Sequence, residues 1–287
     1  MLAIYKKELR SYFTSLVGYV FIAFFLFVIG IYFNVYNIYS GYPNFEYSLS
    51  AASFILLILV PIITMRVMAE ENRQKTDQLL ITAPVKTSSI VLGKYLALMT
   101  VFAIVAVVIC TYPLFLCKYG TVNLKTAYAT ILAFYFMGGT FMAVGLFISN
   151  LTDNQLVAAV VTFIVSLVMY FMSGIANLLP KDNKSAWIIF SVILLICCFI
   201  CYMMMQNIVV SISIAAIGEA LLTVLLFVKP SVYDGLVANV FGWFSVQSRL
   251  ENFMNGMFDF SSIIYYISFI FIFLFLAVQS LNKRRWN

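Results

Sequence analysis

The chain has 287 residues, of which 64% are hydrophobic and only 10% are charged. Soluble globular domains carry about 25% charged residues, so the composition excludes that class. Apolar runs of about 18 residues or more recur along the chain, and a helix of that length crosses a hydrocarbon core about 30 Å thick. Because these runs are too long for barrel strands, we predict an all-α polytopic membrane protein.

The residue inventory also limits the chemistry. Histidine is absent, and the five cysteines lie in or beside apolar runs, without a partner that could complete a metal site: Cys110, Cys117, Cys197, Cys198 and Cys201. A zinc site, a haem ligand and a Ser–His or Cys–His catalytic pair are therefore excluded or nearly so. The net charge of +6 is distributed as membrane orientation requires. We expect no catalytic residue, metal or cofactor on this chain and no nucleic-acid partner.

Residues 1–16 are predicted to form an interfacial helix. Apolar side chains recur there at helical spacing, and the charged residues fall mostly on the opposite side: Lys6, Lys7, Glu8 and Arg10. Such a helix lies along the membrane surface. The alternative is a signal peptide, but the apolar run from Val17 to Tyr36 ends in bulky aromatic residues with no small-residue cleavage site.

About six to eight transmembrane helices are predicted. In chain order the candidate spans are 17–36, 48–65, 95–117, 127–149, 156–178, 186–205, 208–228 and 261–281. The region 186–228 is either two spans or one broken helix, because only Gln206 and Asn207 separate its halves. In the fourth span, Gly138, Gly139 and Gly145 are expected to let a neighbouring helix approach closely.

The distribution of Lys and Arg predicts the orientation. With eight spans and a cytoplasmic N terminus, eleven of these residues lie on the cytoplasmic side and six on the outer side. Positive residues favour the cytoplasmic side, so both termini and the polar segment 66–94 are predicted to be cytoplasmic.

Residues 66–94 form a polar island between two apolar runs and carry eight of the chain's charged residues. Glu70 to Leu80 is predicted to be helical, since it is rich in helix-forming residues. Pro84 ends that helix, and Thr87, Ser88 or Ser89 is expected to cap the helix that leads into the third span. A short rigid helix between two spans suits contact with a soluble partner, but the residues alone leave an ordinary charged loop equally open.

Three stretches resemble a known family, the type-2 ABC transporter permeases, and in particular the branch of the gliding-motility and nitrous-oxide-operon permeases. The first is Glu70-Glu71-Asn72-Arg73-Gln74-Lys75-Thr76-Asp77-Gln78-Leu79-Leu80-Ile81-Thr82-Ala83-Pro84, followed by Val91-Leu92-Gly93-Lys94. It is similar to the family's coupling helix, although Lys75 replaces a usual glycine and Gln78 a usual glutamate. These departures are expected to leave the helix intact.

The other two stretches are Ser149 to Ala159, similar to the family's second cytoplasmic turn, and Ser248 to Asp259, similar to its outer segment. The resemblance implies a single permease domain over residues 1–287, with an outer segment at 229–260. It implies a candidate outer gate formed by Asn252, Phe253 and Gly256, for which a plain surface loop is the alternative. The apolar region of about 180–228 has no counterpart in six-span members.

The resemblance further implies an exporter subunit of the bacterial cytoplasmic membrane. Two permease chains, identical or not, would join two cytoplasmic ABC ATPase subunits that hold ATP and Mg²⁺. The implied ATPase-coupling residues are Glu70, Glu71, Arg73, Thr76, Asp77, Gln78, Leu79, Leu80 and Pro84. In agreement, Gly93-Lys94 is followed by Tyr95 and lacks the upstream glycine of a P-loop, so ATP hydrolysis is expected on another polypeptide.

Glu219 is an acidic residue within the predicted seventh span. An intramembrane carboxylate is a functional candidate, here for a cation or proton site, although a hydrogen-bonded helix contact is the alternative. A secondary transporter or channel that works without an ATPase is the competing function. That class favours more intramembrane ionisable residues and repeated halves with broken helices. Nothing in the sequence selects a substrate.

Overall fold

The computed structural model describes residues 1–76, 85–179 and 235–286, together with residues 182–183, 185–192, 194, 198, 216, 218–220 and 222–223. All regular elements among these residues are helices, which confirms the predicted all-α class. The chain divides into two compact units, residues 1–168 with 246–287, and residues 169–245.

Twelve helices are bounded within the described ranges. They are α1 (Leu2–Thr14), α2 (Leu16–Phe33), α3 (Phe45–Ala52), α4 (Ile55–Thr64), α5 (Ala69–Gln74), α6 (Thr87–Ile109), α7 (Thr111–Leu116), α8 (Leu124–Leu151), α9 (Gln155–Leu178), α10 (Leu236–Trp243), α11 (Gln247–Met254) and α12 (Phe260–Trp286). A π-helical turn, Asn34–Tyr39, extends α2.

Five helical segments of the described chain are long and apolar enough to cross a membrane: Leu16–Tyr39, Thr87–Leu116, Leu124–Leu151, Gln155–Leu178 and Phe260–Arg285. A sixth span results if the bent pair Phe45–Ala52 and Ile55–Gln74 is counted as one. The polytopic prediction is therefore confirmed. Most of the predicted sixth and seventh spans, 186–205 and 208–228, lies outside the described residues.

The second predicted span is broken, although the sequence predicted one helix over 48–65. Its two halves, α3 and α4, meet at an angle of 52°. At the break, Ser53 donates a hydrogen bond to the Gln247 side chain, and Gln247 donates one to the Ser50 hydroxyl, both at 3.3 Å. A polar side chain from α11 thus lies against the bend, where it satisfies groups that lipid could not.

Helix α8 is the central helix of the first unit, since it packs against α4, α6, α11 and α12. A Cβ added at Gly138 would lie 2.3 Å from Cε1 of Phe102, and one added at Gly145 would lie 2.3 Å from Oγ1 of Thr64. No real Cβ tolerates such distances, so only glycine permits α6 and α4 to approach here. The predicted packing role of these glycines is confirmed.

The N-terminal helix is confirmed as α1, and it packs along α6. Gly93 of α6 lies under Ile4, whose Cγ2 is 3.2 Å from the position of an added Cβ. The Tyr5 hydroxyl lies 3.1 Å from Thr100 Oγ1. Glu8 was grouped with the charged residues predicted to fall mostly on the side opposite the apolar side chains. Instead, Glu8 faces the protein, because it binds a buried cation on α6.

The start of α6 also differs from the prediction. Its N-cap is Lys86, which makes no capping hydrogen bond through its side chain. Thr87, predicted as a cap, is the first helical residue, and its hydroxyl donates to Asn282 Oδ1 at 2.7 Å. A residue inside the first turn no longer has the extended backbone that a capping side chain needs.

Candidate functional site

The polar island folds into a helix shorter than predicted. Helix α5 ends at Gln74, whereas the sequence predicted a helix over Glu70–Leu80. Lys75 has the left-handed backbone conformation, with φ of 56° and ψ of 20°. Its N–H donates to Asn72 O at 3.2 Å, and the N–H of Thr76 donates to Glu71 O at 3.0 Å. These bonds satisfy carbonyl groups at the end of the helix.

The left-handed residue, Lys75, stands at a departure noted in the sequence. Lys75 stands where the resembling pattern carries glycine, the residue that reaches this conformation without a Cβ clash. The prediction of one continuous helix through Lys75 was wrong, since the position of the usual glycine is a helix end. Five of the predicted coupling residues lie outside the described residues: Asp77, Gln78, Leu79, Leu80 and Pro84.

A buried lysine joins the polar island to α1. Lys94 of α6 is only 1% exposed, and its Nζ donates to Glu8 Oε1 at 3.0 Å and to Val67 O at 2.7 Å. The same Nζ lies 2.8 Å from Glu71 Oε2. An ammonium group has three donors, and all three therefore have an acceptor.

A second lysine shares one of these carboxylates. Lys7 Nζ of α1 lies 3.2 Å from Glu71 Oε1, although its side chain is 64% exposed. We call Lys7, Glu8, Glu71 and Lys94 the Lys94 cluster. It binds α1, α5 and α6 to one another through charge-assisted hydrogen bonds, which are stronger than neutral ones. Removing one partner of a buried ion pair leaves a buried charge and costs about 3–5 kcal/mol.

The N terminus of α5 is held by a side chain from another helix. The N–H groups of Met68 and Ala69 donate to Ser149 Oγ at 3.2 and 3.1 Å. The Ser149 hydroxyl in turn donates to Met65 O at 3.2 Å. These bonds satisfy two N–H groups that a short helix leaves without an internal partner.

Two asparagines extend this connection. Asn72 Nδ2 of α5 donates to the carbonyl groups of Asn150 and Thr152, each at 3.4 Å. Asn150 Nδ2 donates to Ala277 O of α12 at 3.1 Å. The turn after α8 is thus bonded to both α5 and α12. The sequence predicted this turn but not the roles of Ser149, Asn150 and Asn72. The available signal for those roles was the presence of polar residues at the end of an apolar span.

The remaining predicted coupling residues differ in their surroundings. Glu70 lines a polar cavity, and its Oε1 accepts a hydrogen bond from Gln74 at 3.4 Å. The Thr76 hydroxyl donates to Glu71 O at 3.4 Å. Arg73 is exposed in the last turn of α5 and forms no ion pair with another described residue. Only Glu71 among the predicted residues belongs to the Lys94 cluster, and the coupling role of the whole set stays a prediction.

The candidate outer gate forms the end of α11 and the turn after it. Phe253 is buried, and Asn252 Nδ2 donates to Asp259 Oδ2 at 3.4 Å. Gly256 has a positive φ of 76°, which permits the turn. The gate role of these residues stays a prediction.

Asp259 begins the last helix. Its carboxylate accepts hydrogen bonds from the Ser262 hydroxyl at 2.7 Å and from the Ser261 N–H at 2.9 Å. The Ser262 bond is the largest of several causes that lower the pKa of Asp259 below 3.8, and the Ser261 and Asn252 bonds and the charge of Arg249 add to it.

Glu219 belongs to the second unit and is half-buried there. Its carboxylate accepts a hydrogen bond from the Ser191 hydroxyl, and its backbone carbonyl accepts one from Thr223 at 2.8 Å. A transport role for Glu219 stays a prediction.

A further buried carboxylate received no role from the sequence. Glu46 of α3 is 4% exposed, and its Oε1 accepts a hydrogen bond from Thr126 of α8 at 2.6 Å. Its position in a short tyrosine-rich loop between two predicted spans gave no sign of burial.

Comparison with known proteins assigns the chain to a family. The family model described as "ABC-2 family transporter protein" matches residues 31–278. No curated protein matches the chain. The matched region contains the polar island, the turn after α8 and the segment around α11. Because the match covers most of the chain, the chain belongs to the ABC-2 transporter family, a family of membrane transport components.

Proposed function

We propose that the chain is the transmembrane permease subunit of an ATP-binding cassette exporter, in which a separate cytoplasmic subunit hydrolyses ATP. The proposal includes a bacterial cytoplasmic membrane, two permease chains per transporter and both termini in the cytoplasm. It also includes the branch of the gliding-motility and nitrous-oxide-operon permeases.

The Lys94 cluster is the observation that carries this proposal. It connects α5, the helix within the polar island, to α1 and to the first turns of α6. A displacement of α5 by a soluble partner would therefore move α1 and α6 with it, since moving α5 alone breaks buried ion pairs. The Ser149 and Asn72 bonds extend the same link to α8 and α12.

The displacement would act first on α5. Two of the three Lys94 bonds go to this region, one to Val67 just before α5 and one to Glu71 within α5. The α5 helix ends one residue before Lys75, so the segment from Thr76 onward begins at the exposed end of that helix. An ATPase that contacts Thr76–Leu80 would press directly on α5. ATP-driven closure would then tilt the spans that α5, α1 and α8 adjoin.

Co-purification tests the proposal. The chain is purified from its native cells in mild detergent, and the proteins that accompany it are identified and quantified. We expect a P-loop ATPase in near one-to-one ratio, and its loss when residues 76–80 are replaced by Gly and Ser. The matched control replaces residues 121–123, in the loop before α8, in the same way and retains the ATPase.

Two results would contradict the proposal. One is the absence of any ATPase under gentle conditions, combined with transport that does not depend on ATP. The other is equal retention of the ATPase by both replacement variants. The first result favours a secondary transporter or channel, with Glu219 as the first residue to study. The second shows that the ATPase binds elsewhere on the chain than at residues 76–80.

A further inference from the structure

A polar cavity of about 410 Å³ opens between α1, α4 and α5. Its charged lining residues are Lys7, Glu8, Arg66, Glu70, Glu71 and Lys94, and the hydroxyl-bearing residues Ser11 and Ser15 also line it. The volume lies within the range of about 300–1,000 Å³ typical of ligand sites.

Two of the charged residues in this cavity lack an ion-pair partner among the described residues. The Lys94 cluster neutralises itself, because both of its lysines contact its carboxylates. Arg66 is exposed and makes no hydrogen bond or ion pair with the part of the chain that the structure describes. Glu70 accepts a hydrogen bond from Gln74 on one oxygen and forms no ion pair there. Among the described residues, the cavity therefore offers one free cation, Arg66, and one free anion, Glu70.

An apolar groove of about 370 Å³ lies next to the cavity, between α2 and α4. Its floor consists of the buried residues Phe21, Leu59 and Ile63. Its rims are exposed side chains of the two helices: Leu16, Val20, Phe24, Ile58 and Ile62. None of the described residues that line it is charged. Over the nine residues from Leu16 to Phe24 it follows α2 for about 12 Å.

The cavity and the groove adjoin, because Val17 and Ile63 line both. The resulting site has a charged end beside the interfacial helix and an apolar end along a membrane-spanning helix. The two parts together are complementary to a molecule with a zwitterionic head and a hydrocarbon tail.

We propose that this site binds one phosphatidylethanolamine molecule, with its phosphate against Arg66, its ammonium group against Glu70 and one acyl chain in the groove. A guanidinium group binds phosphate oxygens through two parallel hydrogen bonds. The ethanolamine ammonium has N–H donors for a carboxylate, whereas a choline head has none. A phosphatidylglycerol head carries the same phosphate but no ammonium group, so it would leave Glu70 without a partner.

Lipid retention tests the proposal on the full-length chain. The chain is placed in nanodiscs with equal amounts of phosphatidylethanolamine, phosphatidylcholine and phosphatidylglycerol, transferred to mild detergent and analysed by native mass spectrometry. We expect one retained phosphatidylethanolamine per chain, at least about fivefold more than either competitor. That ratio corresponds to about 1 kcal/mol for one charged contact at the membrane surface.

Matched variants separate the two contacts. Arg66→Gln should lower the total retained phospholipid about fivefold, whereas Arg10→Gln, an equal charge change at an exposed residue outside the cavity, should not. Glu70→Gln should leave retention of phospholipid intact but bring the ratio of phosphatidylethanolamine to phosphatidylcholine close to one. Val20→Trp should fill the groove and displace the lipid, whereas Val107→Trp, at another exposed apolar position, should not.

Three results would overturn the proposal. The first is equal retention of the three lipids by the unmodified chain. The second is equal behaviour of Arg66→Gln and Arg10→Gln. The third is a chain that retains no lipid and whose dimer dissociates with Val20→Trp, because a second copy would then cover the groove. None of these results depends on an ATPase, so the proposed function is tested separately.

Discussion

The two ends of the helical unit bury charge in different ways. At one end, the Lys94 ammonium contacts two carboxylates and a carbonyl contributed by three parts of the chain. At the other end, Glu46 lies buried against Thr126, and among the described residues no cation is paired with it. Hydroxyl and amide groups surround that end instead, as in the Ser53–Gln247 and Ser48–Asn37 bonds.

The two ends are therefore expected to resist separation of their helices to different degrees. Ion pairs between separate elements make those elements move together, since separating them exposes uncompensated charge. Neutral hydrogen bonds contribute about 0.5–1.5 kcal/mol each and separate at less cost. We therefore expect the Lys94 end to transmit displacement between helices and the Glu46 end to rearrange more easily.

The largest expected effect comes from Lys94→Met. The substitution leaves Glu8 and Glu71 without their shared cation and should lower the free energy of unfolding by about 3–5 kcal/mol. Lys86→Met changes an exposed lysine of the same island and should alter it by no more than about 0.5 kcal/mol. Denaturant unfolding in detergent measures both. Similar losses in the two variants would contradict a stabilising role for the buried ion pairs of Lys94.

A rescue variant distinguishes the effect of unpaired charge from general misfolding. Adding Glu8→Gln and Glu71→Gln to Lys94→Met removes the uncompensated charges and should recover more than half of the lost stability. No recovery would mean that the packing of the Lys94 side chain matters more than its charge.

Gly138→Ala should have the next largest effect, because the added methyl group overlaps the Phe102 ring. Overpacking of this kind costs about 1–3 kcal/mol. Gly174→Ala on α9, where nothing lies within 4 Å of the added Cβ, should be neutral or stabilise by up to about 1 kcal/mol. Thermal unfolding of both variants gives the comparison, and equal losses would contradict close packing at α8.

Ser149→Ala tests the hold of α8 on α5. Loss of a capping hydroxyl costs about 0.5–2 kcal/mol, and the amides of Met68 and Ala69 should exchange hydrogen faster. Ser268→Ala removes a hydroxyl that bonds only within its own helix, so exchange at α5 should not change. Unaltered exchange in Ser149→Ala would show that the Ser149 hydroxyl does not hold α5.

Lys75→Gly should stabilise the protein by about 1 kcal/mol, because it removes the Cβ from a left-handed residue. Gln74→Gly, one residue earlier in the helix, should instead destabilise it by about 0.5–1 kcal/mol. Unfolding midpoints of the pair are compared under identical conditions. Destabilisation by Lys75→Gly would contradict a helix end at this residue.

The smallest expected effect concerns Asp259 and pH. Its pKa is lower in the folded protein than the ordinary 3.8, so its stabilising contribution is present above that value and is lost as pH falls through the folded pKa. Asp259→Asn should therefore be less stable than the parent at pH 7, with a difference that shrinks below pH 3.8. The exposed Glu251→Gln serves as control, and a pH-independent difference would contradict the assignment.

The sequence predicts the helical class and most spans because length and apolar content decide whether a helix can lie in lipid. The packing role of Gly138 and Gly145 was also predictable, since small residues permit close helix contact. The Lys94–Glu8 pair was not, because it joins residues 86 positions apart. The break at Ser53 likewise depends on Gln247, a residue from the far end of the chain.

The candidate site was likewise predictable from the sequence only in part. The location of the polar island followed from its charge, but the end of α5 did not. The glycine of the resembling pattern was a usable signal for that end, since a recurrent glycine after a helix indicates a left-handed residue. The burial of Glu46 had no such signal, because its neighbours in sequence are those of a surface loop.

The central claim is that the Lys94 cluster carries movement from α5 to α1. A direct measurement is the distance between spin labels at Lys6→Cys on α1 and Tyr119→Cys at the opposite end, in a background without native cysteines and with the ATPase bound. The account predicts that ATP changes this distance in the parent complex. It also predicts that the Lys94→Met, Glu8→Gln, Glu71→Gln triple variant retains the ATPase without that change. An equal ATP-dependent change in both complexes would contradict it.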